Sequence, residues 1–545
     1  MGTKGKIPAV AYFCMEFGLH PDFPIYSGGL GVLAGDYLKA AADEGYPIVG
    51  VGILWRKGYT AQYINDQGYP YDLAPEFNNF SFLKDTGVKI QVTVKQQPVT
   101  CKVWMVDHFH NVPLYLLDAD LPENKEPWLT HSLYRGSGDD RIAQEIILGV
   151  GGVRALRALG LSIVLFHFNE GHAVLAGVEL IREKMSTGLP FDQALNATRQ
   201  QIVFTTHTPV PAGNEAHHHG ALAYVGAYNG LSYEQMKQIG GDPFNMTVAG
   251  LRLSTLTNAV SQLHGETAQT MWHQVTDGSP IIAITNGVHQ NTWQAPNMAS
   301  AVSHRETLLE AHQANKQILL AEVQRQTGQV LNPDALLIGF ARRAATYKRA
   351  DLIFRNQEEL LPLLESGRIQ LVFSGKAHPQ DDGGKNMVAK IVALAKELPG
   401  KVVFLENYDM ALGQILTRGC DVWLNNPRRP LEASATSGMK AGMNGVLHFS
   451  TLDGWWVEGC QHGVNGWQFG DGYVGPNQDD HDLNALYRVL KTEILPTYEQ
   501  DKAQWAQMME ASIKTCTQHF SARRMINEYY DRLYLPLVAP KQKIS

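Results

Sequence analysis

At 545 residues the chain is too long for one ordinary domain and suits two large α/β domains, or three smaller ones, so that a site can lie between domains. Hydrophobic residues make up 44% and charged residues 18%, below the roughly 25% of average chains, which excludes a disordered protein. The net charge of -7, with Lys and Arg scattered, excludes a nucleic-acid track, so any anion site has to be local.

The first predicted elements are a buried strand over Val10 to Phe13 and a helix on which Leu30, Leu33, Tyr37, Leu38 and Ala41 recur at helical spacing as far as Gly45. Ahead of them, the apolar stretch Ile7 to Met15 follows Lys4 and Lys6, is broken by Pro8 and stops at Glu16, a poor signal peptide; no later run approaches a membrane span, so we expect a soluble protein. Short strands follow at Ile48 to Val51, Ile90 to Val94 and Leu114 to Leu117. Helical stretches Ile142 to Leu159 and Ala173 to Met185 flank a strand Ile163 to Phe168, and Ile202 to Thr206 continues the alternation. After an apolar strand ending at Asn286-Gly287, where a domain boundary is expected, strands Leu336 to Ala341, Ile369 to Phe373, Val402 to Leu405 and Val422 to Leu424 alternate with helices Leu352 to Leu364, Met387 to Leu398 and Met410 to Thr417. Such alternation implies parallel sheets covered by helices on both faces. The closing stretch Leu483 to Leu535 is expected to be helical. The five cysteines are odd in number, widely spaced and without a metal pattern, which points to a reducing compartment and makes the cytoplasm the expected location.

Three segments carry chemistry. Leu431 to Lys440 places small residues and hydroxyls before a lysine that opens a helical pattern, so loop amides could converge on an anion there and the lysine could form an imine of the kind that holds pyridoxal phosphate. A plain helix start with a surface lysine is the competing reading. Ser27-Gly28-Gly29-Leu30-Gly31 joins the first strand to its helix, where glycines let amides approach a phosphate; simple strand-to-helix geometry would look the same. Gly339 to Arg349 puts Arg342, Arg343, Lys348 and Arg349 just after a strand, where ligands of open α/β sheets bind, although a solvated basic loop has the same composition.

With these residues in view, the chain resembles the glycogen, starch and maltodextrin phosphorylases, whose cofactor lysine ends a Glu-Ala-Ser-Gly-Thr-Gly-Asn-Met-Lys run; the resemblance covers about residues 10 to 475. It implies two doubly wound Rossmann-like domains facing a central cleft, a B-type glycosyltransferase architecture. Residues 1–290, rejoined by a C-terminal helix at 520–545, would form the glucan and glycine-loop side, and residues 291–519 the cofactor and phosphate side. It implies pyridoxal phosphate on Lys440, with Arg342, Thr436, Ser437, Gly438, Tyr408 and Trp293 around it. Arg343, Lys348, His207 and Gly29 would act at the reacting centre, and Glu432, Ser434, Ala435, Asn286 and Leu30 would bind substrate. The implied reaction is retaining phosphorolysis of an α-1,4-glucan or maltooligosaccharide by inorganic phosphate to glucose 1-phosphate. No protein carboxylate pair is needed for it. The chain departs from longer members at Arg342, Ala435, Asp409, Ser437, Gly438 and Trp455-Trp456, and we expect no phosphorylation switch of their type.

A nucleotide-sugar α-glucan synthase would share the architecture but typically carries a glutamate eight positions after the first, where this chain has Lys440. A silent glycan-binding protein would need neither Lys440 nor the arginines. No metal is expected: three adjacent histidines, His217 to His219, cannot share one helix face, and His167, Glu170 and His172 lack the zinc spacing. Asp479, Asp480 and Asp482 are expected to cap a helix. Whether the chain forms a homo-oligomer is left open; neither nucleic acid nor membrane is an expected partner.

Overall fold

The computed structural model describes residues 7–539 apart from 76, 78, 79, 211 and 212; Lys4 and Lys6 of the leader reading, and positions 540–545 of the expected closing helix, lie outside the described residues. Two sheets organise the chain. In the first the strands run, edge to edge, Ile281–Ala283, Leu256–Ala259, Ile202–Thr205, Leu165–Asn169, Val10–Phe13, Ile48–Ile53, Leu114–Asp118, Gln97–Val106 and Lys84–Val94. All pairings are parallel except the last two. Val10–Phe13 is buried along its whole length, as a central parallel strand covered on both faces must be, and this is why it reads as an unbroken apolar run. The second sheet is fully parallel, in the order Val402–Leu405, Ile369–Ser374, Leu336–Ala341, Val422–Asn425, Leu447–Thr451, Gly466–Phe469.

Each sheet reverses its winding beside one strand. Val10–Phe13 has Ile48–Ile53 on one side and Leu165–Asn169 on the other; Leu336–Ala341 lies between Ile369–Ser374 and Val422–Asn425. Loops leaving such strands diverge and open a crevice at the carboxyl edge. The glycine loop leaves the first of these strands and the arginine segment leaves the second. The Gly29–Glu44 helix that follows the glycine loop ends at Gly45, whose left-handed φ of 68° lets its N–H reach Ala41 and Ala42. Within that helix a Cβ at Gly35 would lie 2.0 Å from the Gly18 carbonyl oxygen, so only glycine allows the helix to lie this close to the chain before it.

The carboxyl-terminal segment divides between the two cores. Helix Lys502–His519 contributes Trp505, Met508, Met509 and Ile513 to the second, whereas Ala522, Met525, Ile526, Tyr529, Tyr530, Leu533 and Tyr534 are buried in the first. The return is held by polar ties as well as apolar area. Tyr46 stacks on Tyr530 at 3.9 Å, the Tyr534 hydroxyl meets His167 Nδ1 at 2.6 Å, and Asn258 donates to the Tyr529 hydroxyl at 3.0 Å.

Several expected elements change. The single helix over Leu352 to Leu364 is interrupted: a short 3-10 turn, Leu352–Arg355, is followed by Gln357–Glu365, because Asn356 leaves helical dihedrals and accepts from Glu359 N as a cap. The aspartates around His481 do not cap helix Gln478–Val489; Asn477 occupies the cap without a side-chain bond, and Asp479 and Asp482 instead hold Arg349 at 2.9 and 2.8 Å. The 23-residue helix Arg305–Thr327 has no apolar periodicity to announce it, since its buried side includes His312, Asn315 and Lys316. Lys316 is fully buried and reaches Asp421 at 2.6 Å, while His312 reaches the same carboxylate at 3.0 Å. Burial raises the Asp421 pKa, but Lys316 and His312 outweigh it and hold the carboxyl down to about 2.

Asp421→Ala leaves the buried Lys316 ammonium without a counter-charge, with only the Ala335 carbonyl and the Tyr498 hydroxyl to accept from it, and should cost about 3–5 kcal/mol of stability, read as a lowered denaturant midpoint. Because the folded-state pKa is depressed, the pair's contribution is complete above the unfolded value of 3.8 and should be lost in wild type as pH falls toward 2. Equal acid sensitivity in wild type and variant would contradict this assignment.

Candidate active site

A cleft of ≈ 780 Å³ opens between the carboxyl edges of the two sheets. On the first-sheet side the glycine loop enters it. Glu16, buried on the chain after the first strand, accepts from Ser27 N at 2.6 Å and Gly28 N at 3.2 Å, and Tyr134 donates its hydroxyl to the other carboxylate oxygen at 2.8 Å. The loop is thus shaped by a carboxylate behind it. Nothing lies within 4 Å of where a Cβ would stand at Gly28 or Gly29, so these two backbones face open cleft, and Leu30 lines the cleft beside them. Gly31, by contrast, is glycine because a Cβ would press on Glu16 at 2.6 Å.

Opposite stands helix Thr436–Gly442, which carries Lys440 on its inner side. Ala435 precedes it with φ 67° and ψ 55°, a left-handed conformation that an L side chain adopts at a cost, and one for which the family run quoted above has glycine. The strained turn presents Ser434, whose buried hydroxyl has no partner, and is backed by Trp455, whose N–H donates to Ser434 O at 2.9 Å. Ser437 accepts from Trp423 Nε1 at 3.1 Å. Thr436, Ser437 and Lys440 line the cleft; Gly438 does not, for it packs beneath the floor, where a Cβ would come within 2.5 Å of His448. His448 and the Trp455-Trp456 pair, in contact at 5.3 and 4.8 Å, therefore account for glycine at this position. The Lys440 ammonium sits over the Trp293 ring at 4.1 Å, and burial pushes its pKa down to about 8. Tyr408 stands half-buried in the same wall, its hydroxyl pushed up to about 12 by burial.

The basic segment does not act as one block. Arg349 turns away, donating to the Asn426 and Pro427 carbonyls and to Asp479 and Asp482. Arg342 is buried and donates to Glu432 at 2.7 Å and to Asn425, leaving its Nε unpartnered. Lys348 stands 3.7 Å from the same Glu432 oxygen, with its pKa lowered to about 7 by burial and by Arg342, against the pull of Glu432. Arg343 is exposed to the cleft. Glu432 is held ionised: burial opposes its charge, but Arg342 and Lys348 overcome that. Its neighbour Asp453, which accepts from Glu432 N at 3.0 Å, is pushed up to about 8 by burial and by the Glu432 charge.

Between these walls lie His207 and Asn286. His207 is neutral, pushed down to about 3 by burial and by His264 and His172, and its Nε2 meets Asn169 Oδ1 at 2.6 Å. Asn286 is buried with its side-chain oxygen unpartnered. The cleft therefore gathers every residue to which the family resemblance gives a role except Gly438. It also gathers residues to which the sequence reading gave no role in a site, among them Glu16, Tyr134, Arg141 and Glu215, and Glu170 and His172, which it had considered only as metal ligands. Glu170 carried a signal only in retrospect: it follows a central strand, has φ 73° although not glycine, accepts from His207 N at 2.7 Å, and is pushed up to about 7 by burial.

Glu145, Glu215 and His217 bring ligand atoms within 4.8 Å of one another, a grouping that spacing along the chain does not reveal. Arg141 already holds Glu215 through two bonds of 3.0 and 3.1 Å, and His217 meets Glu145 at 3.0 Å. The Arg141 charge keeps Glu215 ionised, while burial and Glu215 raise Glu145, so the group forms a balanced ion-pair network. Among the described residues no helix is long and apolar enough to cross a membrane, and all five cysteines are free.

The family model for carbohydrate phosphorylases matches residues 284–470. The chain is 38% identical to a maltodextrin phosphorylase of Thermococcus litoralis, over 97% of this chain and 71% of that one. It is 36% identical to a glycogen phosphorylase of Aquifex aeolicus, over 96% of this chain and 86% of the relative. An uncharacterized protein of Methanocaldococcus jannaschii is 36% identical over 96% of this chain and 99% of its own length.

Ala435→Gly relieves about 1–2 kcal/mol of left-handed strain and gives back about 0.4–1 kcal/mol as unfolded-chain entropy. The variant should therefore unfold at a slightly higher temperature than wild type in calorimetry. A lower unfolding temperature would mean that the Ala435 methyl contributes packing that outweighs the strain.

Proposed function

The chain belongs to the carbohydrate phosphorylase family, and from that premise we infer that it is an α-glucan phosphorylase, a glycosyltransferase that releases terminal glucosyl units of an α-1,4-glucan with inorganic phosphate as α-glucose 1-phosphate. The observation that carries the inference is the pairing, across one cleft, of a buried lysine and basic groups on one wall with open glycine-loop amides on the other. In this reading residues 1–290, rejoined by the closing helix, form the sugar side, and 291–519 form the cofactor and phosphate side. Free cysteines suit a cytoplasmic location.

Pyridoxal phosphate fits the lysine wall. Lys440 has a lowered pKa suited to condensing with an aldehyde, Trp293 and Tyr408 supply flat apolar surface, and Thr436, Ser437 and the helix start supply donors for a phosphate. The unpartnered Arg342 Nε is a further donor. When bound, the cofactor supplies a second phosphate beside the substrate phosphate and with it a proton store.

The protein's own residues do the rest. Arg343 and Lys348 hold inorganic phosphate, and the glycine-loop amides at Gly29 and its neighbour close on it from the other side. Lys348, near pH 7 in its titration, can keep or release a proton as the phosphate changes charge. The half-buried His207 and the buried Asn286, Glu432 and Ser434 offer hydrogen bonds to the glucosyl hydroxyls. The phosphate passes its proton to the departing glycosidic oxygen as the bond to the anomeric carbon breaks. One of its oxygens then bonds that carbon on the same face, so the α configuration is retained. The ionised Glu432 stabilises the positive charge that develops on the ring. The polar end with Arg141, Glu170 and His172 extends the same cleft, with Arg141 Nη1 and His172 Nδ1 unpartnered and able to meet hydroxyls of the remaining glucan.

Arg343→Ala should lower phosphorolysis by about a hundredfold or more, as loss of one preorganised charge does, while cofactor content per chain stays unchanged by absorbance. Loss of cofactor with normal activity per cofactor would sink the assignment. Because the chemistry runs in both directions, glucose 1-phosphate with a maltooligosaccharide should give chain extension and free phosphate. Extension only with a nucleotide sugar would identify a synthase.

A further inference from the structure

We propose that Asp36, on the first-sheet helix Gly29–Glu44, is a positioning residue for Lys440: through its hydrogen bond to the Trp293 indole it is the counter-charge that seats the ammonium on that ring. The proposal rests on the reading of Lys440 as the cofactor lysine.

Three observations carry it. Asp36 is fully buried, two turns into a helix whose other buried positions, Lys39 apart, are apolar or small, so a carboxylate there has a specific cause. One oxygen, Oδ2, accepts from Trp293 Nε1 at 2.9 Å and from His289 N at 3.1 Å. The other, Oδ1, has no partner at all. The same Trp293 indole that donates to Asp36 carries Lys440 Nζ over its face at 4.1 Å. One indole thus connects the carboxylate of one wall with the amine of the other.

The charges around Asp36 are few. Lys39, on the same helix, is spent on Leu19 O at 2.7 Å and Thr292 Oγ1 at 3.0 Å, and His289 turns its ring to Asp43 at 2.8 Å and to Thr292 at 2.7 Å. From the opposite wall Lys440 faces Asp36, with Tyr26 and Tyr408 as the neighbouring phenols. Burial raises the Asp36 carboxyl above its ordinary value, and Lys440, His289 and Lys39 offset only part of that rise. Reciprocally, burial lowers Lys440, and Asp36 is the one charge that opposes it. A hydrogen-bond tie alone would not need the charge, because asparagine offers the same oxygen to Trp293 and His289.

The test uses full-length protein freed of cofactor and then given pyridoxal phosphate. The neutral amine of Lys440 adds to the aldehyde carbon and water leaves, a step followed by absorbance and located by borohydride reduction and peptide mapping. In Asp36→Asn the amine loses the charge that retains its proton, so the pH midpoint of cofactor uptake should move down by about one unit, and uptake at pH 7 should quicken up to about tenfold. Asp36→Glu, which restores the charge, should return the midpoint toward wild type. A midpoint in Asp36→Asn that is unchanged or higher overturns the proposal, as does one that Asp36→Glu fails to restore. Failure of wild type to form any adduct on Lys440 would instead remove the cofactor assignment itself, so the two readings fail separately.

Discussion

The cleft concentrates positive charge where there is little water to screen it. Arg342, Lys348 and Lys440 are all withdrawn from solvent, and Arg343 stands beside them. Left alone, such a group would repel itself and lose protons. One carboxylate resolves the conflict. Glu432 accepts from Arg342 and lies near Lys348, and it stays ionised in spite of burial. The compromise is incomplete by design of the geometry: Lys348 falls to about 7, Arg342 keeps a free Nε, and Asp453 is forced toward its protonated form. A site balanced in this way gains most when a polyanion enters, because the anion supplies the charge the protein withholds.

Both walls must therefore be held at a set separation, and the chain does this with a strap. The hairpin of strands Ala61–Ile64 and Pro70–Leu73 leaves the first sheet and docks on the second. Gln62 pairs with the Ala377 backbone through two bonds of 3.1 and 2.9 Å, Asn407 N donates to Gln62 O at 3.1 Å, and Asp72 pairs with Lys385 at 2.7 Å. Lys376 reaches Thr60 O at 3.0 Å from the cleft wall itself. Hydrogen bonds from the Gln62 side chain and backbone to the opposite main chain resist sliding more than exposed ion pairs do, since they fix direction as well as distance.

Strain and close approach sit next to this electrostatic centre rather than away from it. Ala435 is left-handed at the turn before the lysine helix, and Glu170 is left-handed beside His207. Each conformation aims a neighbouring group into the cleft, and each is held by buried hydrogen bonds that over-determine it, from Trp455 N to Ser434 O and from His207 N to Glu170.

Local rules were enough to recognise the alternating α/β plan, the central strands Val10–Phe13 and Leu336–Ala341 and the edge strand Val402–Leu405, and the glycine, arginine and lysine segments, because buried parallel strands are apolar runs and glycine or lysine at a strand-to-helix turn is a short-range signal. Family resemblance added roles that spacing alone does not carry. Tertiary structure decided the rest. Helix Arg305–Thr327 was hidden because its buried face is paid for by Lys316, His312 and Asp421 rather than by apolar residues, and strand Leu447–Thr451 because His448, Ser450 and Thr451 interrupt its run. Arg349 was separated from the other cations only by the distant Asp479 and Asp482. Asp36 acquired its place opposite Lys440, and Glu16 its hold on the glycine loop, through contacts between segments far apart in the chain. Periodicity reports what a residue does within its own element; which charge it meets across a cleft depends on how two sheets dock, and no local pattern encodes that.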